Sequence, residues 1–199
     1  MRKYLFSRSA FPAVAAVALL AFLIPGSASA DVSTVASCPT PAVSQALLAW
    51  GDSAWYTPAP GVSPDSFTAA GWTLSGGAQV ISTTLADGQT GLVLDLPPGA
   101  SATSPAVCVD SSEPTASMVT RSVGMGAFSA TTLFYASRPG STTMSGAQPV
   151  ISSSAWAESA PMSIYRCNGA EYVSLTIASY ASAGDVQVYD LYIDPHMRF

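Results

Sequence analysis

The sequence predicts an all-β protein, built as a sandwich or barrel of short antiparallel strands. Three observations carry this. Tyr172–Ile177 alternates strictly, with Val173, Leu175 and Ile177 on one side and Tyr172, Ser174 and Thr176 on the other; that period of two marks a half-buried strand. Similar runs recur at intervals of roughly 8–15 residues, with Gly, Pro, Ser and Asp breaks between them, the rhythm of a sandwich or barrel. Finally, no run sustains a helical period over a helix's usual length.

In chain order, residues 1–30 read as an export leader. Arg2, Lys3 and Arg8 form a basic start, Ala13–Ile24 is a twelve-residue apolar stretch, and Ala28-Ser29-Ala30 supplies small residues for cleavage before Asp31. A membrane span needs about 20 apolar residues, so no span is expected after cleavage. Residues 31–66 are expected as an N-terminal loop segment tied to the domain. Within it Val43–Trp50 has Ala46, Leu47 and Trp50 on one helical face but is too short to be stable alone. Trp55–Asp65, with Pro58, Pro60, Gly61 and Pro64, reads as an extended loop.

The sandwich itself is expected over 67–199. Trp72 and Leu74 alternate with Thr73 and Ser75, and Gly76-Gly77 is expected to turn this strand into a hairpin with Gln79–Thr83. Ala86-Asp87-Gly88 is a second turn. Leu92, Leu94 and Leu96 then form an inward face that ends at Pro97-Pro98-Gly99. Strands are further expected over Ala102–Val109, Met118–Val123, Thr131–Ala136, Gln148–Ile151, Met162–Arg166, Tyr172–Ser179 and Val186–Ile193. Arg138-Pro139-Gly140-Ser141 is turn chemistry.

Without the leader the chain holds four arginines, no lysine and all twelve acids, a net charge of −8. Nucleic acid and anionic membrane surfaces are therefore not expected as partners, since both need clustered positive charge. Three cysteines follow the export signal, Cys38, Cys108 and Cys167, so one disulfide and one spare thiol are expected. Three pairings are open. Cys38–Cys108 is expected, because it would tie the strand-poor N-terminal segment to the sandwich. Val35-Ala36-Ser37-Cys38 also fits a loose lipidation signal at Cys38, although the apolar stretch ends well upstream of it.

Two segments are more specific. Phe67–Val80 carries an aromatic followed by Gly71-Trp72, and Val186–Pro195 reads Val-Gln-Val-Tyr-Asp-Leu-Tyr-Ile-Asp-Pro. Together they resemble the first and last strands of jelly-roll sandwiches of the galactose-binding-like, carbohydrate-binding-module type. From about Cys38 onward the chain also resembles a set of small secreted actinobacterial proteins of unassigned function. The shared stretches are Trp50-Gly51-Asp52, the Gly71–Ala78 run, Ser101–Pro105 with Cys108-Val109, and Tyr192–Pro195. The resemblance implies a single two-sheet antiparallel jelly-roll β-sandwich, an extracellular location and a non-catalytic module for a carbohydrate-like ligand, with a polysaccharide or cell-surface partner. It also supports the Cys38–Cys108 pairing. The alternative role is a structural or protein-interaction component of the cell surface.

Candidate sites follow. Strict alternation puts Asp190 on the face of Val186 and Val188, where a lone carboxylate is costly. The resemblance implies a structural Ca²⁺ near this strand, with Asp190 as a ligand. The competing reading is a β-bulge that turns Asp190 to solvent and brings Leu191 and Ile193 inward. Trp55, Tyr56 and Trp156 lie in Pro- and Ser-rich loops, where exposed rings would stack on sugar faces; otherwise they fold back over the sandwich. Gly51-Asp52-Ser53 resembles the nucleophile block of Gly-Asp-Ser-type esterases, with Asp194 and His196 to complete a triad. That chemistry needs an α/β scaffold, and a loop Asp and Ser is the expected reading. His196 is the only histidine, which excludes a zinc site built from several. No spacing among the acids suggests a glycosidase pair.

Overall fold

A computed structural model describes residues 38–40, 42–111, 114–124, 128–138, 141–151, 153–164, 171–179 and 184–194. The leader expected over 1–30, the Pro139-Gly140 turn, Cys167 and His196 lie outside the described residues, as does the end of the strand expected over Met162–Arg166.

A single 3-10 turn, Leu48–Trp50, precedes fifteen strands among the described residues. The first five are β1 (Thr57–Pro58), β2 (Val62–Ser63), β3 (Ser66–Phe67), β4 (Thr73–Ser75) and β5 (Gln79–Thr84). Next come β6 (Thr90–Leu96), β7 (Ser101–Thr103), β8 (Val107–Val109), β9 (Thr115–Val123) and β10 (Phe128–Arg138). The last are β11 (Ser141–Ile151), β12 (Ala157–Glu158), β13 (Met162–Ser163), β14 (Glu171–Ser179) and β15 (Asp185–Asp194). They form the expected two-sheet jelly-roll sandwich. One sheet has nine strands, in the order β12-β9-β15-β6-β3-β2, with β1 added to β15, β13 to β9 and β5 to β6. The other has six, β11-β10-β14-β7-β4, with β8 added to β14. Pairing is antiparallel except for one parallel contact, Ser66 with Leu92.

The inner faces pack into one apolar cluster. Leu94 and Leu96 of β6, Met118 of β9, Val173, Leu175 and Ile177 of β14, and Val186, Val188, Leu191 and Ile193 of β15 are all buried in it. Each such side chain contributes roughly 1.5–3 kcal/mol by leaving water. The alternation read from Tyr172–Ile177 holds, with Val173, Leu175 and Ile177 buried and Tyr172, Ser174 and Thr176 half-buried. Trp72 is in the core as expected; it meets Phe67 edge-on at 5.0 Å and donates its indole N–H to the Pro60 carbonyl at 2.6 Å.

Several expectations need correction. Gly76-Gly77 does not close a hairpin. β4 pairs with β7 in the six-stranded sheet and β5 pairs with β6 in the nine-stranded one, so the chain changes sheets here. Gly76 has φ +67°, and a Cβ there would lie 2.9 Å from the Gly99 carbonyl oxygen and the Ala100 Cα. The double glycine thus permits a tight crossing at the sandwich edge. Leu92 shares the face of Leu94 and Leu96 but is not covered: it stays 37% exposed, while the other two are fully buried. The strand expected over Ala102–Val109 is two strands. Pro105 has no N–H to offer, and the Ser104 hydroxyl accepts the Leu175 N–H at 2.9 Å in the gap. Nor is Trp55–Asp65 a plain loop. β1 pairs with β15 and β2 with β3, because prolines are tolerated in short edge strands.

The structure joins Cys38 to Cys108 across 70 residues, tying the N-terminal segment to β8 of the six-stranded sheet. The bond consumes the Cys38 sulfur that a lipid anchor would require, which corrects the lipidation reading.

Candidate ligand-binding cleft

The site is built by a break in the register of β15. Val188 faces Thr120 and Asp190 faces Val119 across the pair with β9, so Tyr189 is an extra residue, a β-bulge. Before the bulge Val186 and Val188 point to the inter-sheet core; after it Leu191 and Ile193 do. The bulge aims Tyr189, Asp190 and Tyr192 together at the outer face of the nine-stranded sheet.

A cleft of about 480 Å³ opens over these three residues. One wall is Ala46, Ala49 and Trp50 of the N-terminal segment; the others are the Pro64-Asp65 turn and the Ala86-Asp87 turn. Each wall has a local cause. Ser44 and Tyr56 exchange backbone hydrogen bonds of 2.9 and 2.7 Å, closing the chain between them into a compact loop. Leu47 and Tyr56 anchor that loop in a second apolar cluster with Val93, Val119, Tyr189 and Tyr192. The Asp65 wall sits at the tip of the β2–β3 hairpin, with φ +60°. A Cβ on Gly91 would run into the Asp65 carbonyl oxygen and the Leu85 side chain, so glycine there lets the hairpin tip approach β6. The Asp87 carboxylate accepts the Gln89 N–H at 2.8 Å and so closes its own turn.

Asp190 lies at the base of the cleft, only 4% exposed. The Tyr192 hydroxyl donates to its Oδ1 at 3.1 Å. Burial pushes its carboxyl up to about 7; the bond from Tyr192 opposes the rise, the charge of Asp65 adds to it, and a backbone hydrogen bond at Asp65 opposes it. Burial also raises both tyrosine hydroxyls, and the neighbouring Asp190 raises them further. The nearby Trp50 indole opposes the rise at Tyr189.

Beyond the cleft, one polar rung of the outer face is hydrogen-bonded within itself. Gln79, Asp95, Gln187 and Arg121 occupy one rung across four strands. Gln187 donates to Asp95 at 3.0 Å, and Arg121 donates to Gln187 at 2.8 Å and to Thr83 at 2.9 Å. The Arg121 guanidinium also lies 4.4 Å from the centre of the Trp156 ring.

The expected ring platform does not form as one surface. Trp55 is 42% exposed on the outside of the N-terminal loop, whereas Tyr56 is 1% exposed and stands behind Tyr192, ring centres 6.1 Å apart. Trp156 is half-buried: its edge-on contact with Tyr189 is 4.9 Å, and its indole N–H donates to the Thr84 carbonyl at 3.1 Å. Trp156 therefore buttresses the cleft floor instead of lining the cleft. Asp190 takes the bulge that the competing reading named but not the exposure, because the N-terminal loop covers that face. Among the described residues no three His, Cys, Asp or Glu side chains group to hold a metal ion. The Asp52 carboxylate accepts the Ala54 N–H at 2.8 Å and the Tyr56 hydroxyl at 2.6 Å, a turn-forming role. Trp50, Asp65, Asp87, Tyr189 and Tyr192 were not singled out from sequence as site residues. The readable signal for the two tyrosines was the apolar phase slipping from 186 and 188 to 191 and 193.

No family model matches the sequence, and no curated protein does. Among solved structures, the chain is similar to the CBM22-1 xylan-binding domain of Xyn10C from Paenibacillus barcinonensis, with 15% identity over 65% of this chain and 88% of that one, TM-score 0.47. It is similar to the family 11 carbohydrate-binding module of Clostridium thermocellum, solved with a mixed-linked tetrasaccharide, at 13% identity over 65% and 91%, TM-score 0.43. It is also similar to CsCBM6-3 of Clostridium stercorarium, solved with cellobiose, at 16% identity over 62% and 86%, TM-score 0.41.

Proposed function

We propose that this chain is a secreted, non-catalytic binding module whose cleft takes a carbohydrate, with 67–199 as the sandwich domain and 31–66 as the segment that supplies one wall. The observation that carries the reading is the composition of the cleft: Trp50, Tyr189 and Tyr192 beside Asp65, Asp87 and Asp190 in a volume of about 480 Å³. Aromatic rings pack on the flat C–H faces of sugar rings, and carboxylates accept hydrogen bonds from their hydroxyls. A polysaccharide partner and an extracellular setting are part of the same reading, as is the likeness to small secreted actinobacterial proteins. The disulfide supports the oxidising compartment. The two-sheet all-β architecture argues against a Gly-Asp-Ser hydrolase, whose chemistry needs an α/β scaffold. A glycan array followed by calorimetry tests the reading. Binding to at least one glycan class is expected, weakened about tenfold (about 1.4 kcal/mol) by Trp50→Ala. No glycan bound, or affinity indifferent to Trp50→Ala, defeats it.

The alternative, a protein-interaction component of the cell surface, is favoured by the exposed Val43, Leu48 and Trp55 on the N-terminal loop. Concentration-dependent self-association abolished by Leu48→Ser would support that role instead.

A further inference from the structure

The side chains lining the cleft that can carry charge near neutral pH are all acidic. Asp65, Asp87 and Asp190 line it from three different elements, and no basic side chain does. Arg121, whose contacts on this face of the sheet are described, is committed to Gln187, Thr83 and the Trp156 ring. Asp190 is the innermost of the three. The hydrogen bond that its carboxylate accepts, from the Tyr192 hydroxyl, comes from a neutral group, so Asp190 is buried without a counter-charge. A neutral ligand would bury that carboxylate further and compensate nothing. Three aromatic rings border the same space, and ring faces attract a cation that has shed its water. Rings and carboxylates together are therefore matched to an organic cation. A sugar acid would meet like charge on three sides.

We propose that the ligand of this cleft carries a protonated amine, seated against Asp190 among Trp50, Tyr189 and Tyr192, and that the polysaccharide class it takes is one with free amino groups. The second half rests on the carbohydrate reading; the first does not. Calorimetry on the folded chain, near pH 7 where both the amines and the Asp190 carboxyl carry substantial charge, compares four probes. They are a β-1,4-linked glucosamine oligomer, its N-acetylated counterpart, a cello-oligosaccharide of equal length, and tetramethylammonium.

The glucosamine oligomer is expected to bind about tenfold or more tighter than the acetylated and neutral oligomers, and to weaken several-fold between about 50 and about 300 mM salt. Asp190→Asn is expected to erase most of that preference. Asp87→Asn, on an exposed turn, is expected to reduce it two- to threefold even if the Asp190 variant folds poorly. Equal binding of all three oligomers overturns the inference and leaves the carbohydrate reading standing. Binding of tetramethylammonium with no oligomer bound supports the cation seat and removes the carbohydrate reading. If neither the glucosamine oligomer nor tetramethylammonium binds, the inference is overturned whatever the neutral sugars do.

Discussion

The inner and outer faces of the nine-stranded sheet bury side chains in different company. Inward, Leu94, Leu96, Val186, Val188, Leu191 and Ile193 meet the apolar face of the six-stranded sheet. Outward, Tyr189, Tyr192, Val93 and Val119 lie under a single loop held by Leu47 and Tyr56. The inner contact is sheet against sheet, continuous and without polar handles. The outer one is patchy: its aromatics carry hydroxyls, a carboxylate is buried among them, and a cleft remains. One face therefore supplies cohesion, and the other accepts an uncompensated charge that the first stabilises. The same strand serves both because the bulge at Tyr189 changes which residues face each way.

The comparison can be broken at the tether. Replacing Cys38 and Cys108 by alanine frees a loop of 70 residues, and loop-closure entropy puts the cost at about 4 kcal/mol. Chemical denaturation should register that loss, and ligand affinity should fall with it, because the freed segment supplies the Trp50 wall. An unchanged affinity would mean that the loop holds its place without the bond.

Leu94→Ala tests the inner face. Leu94 is fully buried, and truncation there should cost about 3 kcal/mol. Per folded molecule, ligand affinity should stay as it was. A selective loss of affinity would show that the two faces are not separable.

Asp190→Asn sharpens the outer face through pH. The folded carboxyl titrates near 7, above its ordinary value of 3.8. A raised acid binds its proton more tightly when folded, so its contribution is fully present below about pH 4 and is lost as pH rises through 7. The formal conversion is about 4 kcal/mol; with the cleft open to water, about 2 kcal/mol is expected. In urea titrations the wild-type chain should lose that stability between about pH 4 and about pH 8, and the variant should not. Parallel pH profiles would refute an uncompensated Asp190.

Much of the sandwich is legible without coordinates. Period-two runs such as Tyr172–Ile177 specify a strand and its buried side, since a pleated strand gives alternate residues to opposite faces. The phase slip in Val186–Ile193 was readable as a bulge too, and that bulge is the origin of the site. Gly76-Gly77 misled, because two left-handed glycines serve a sheet-to-sheet crossing as well as a hairpin. Trp156 and Tyr56 misled because loop residues with large rings find cover that only distant strands provide.

By itself, the chain's pattern determined strand identity, most of the inward apolar set and an excess of acidic over basic residues, since these are read from composition and from neighbours within a few residues. Only the tertiary structure decided that the segment around Leu47 folds over the outer face. The same holds for Trp50, Asp65, Asp87 and Asp190, which it gathers around one cleft. Those four come from four separate elements, and what brings them together is strand pairing between residues far apart in sequence, which no local spacing encodes.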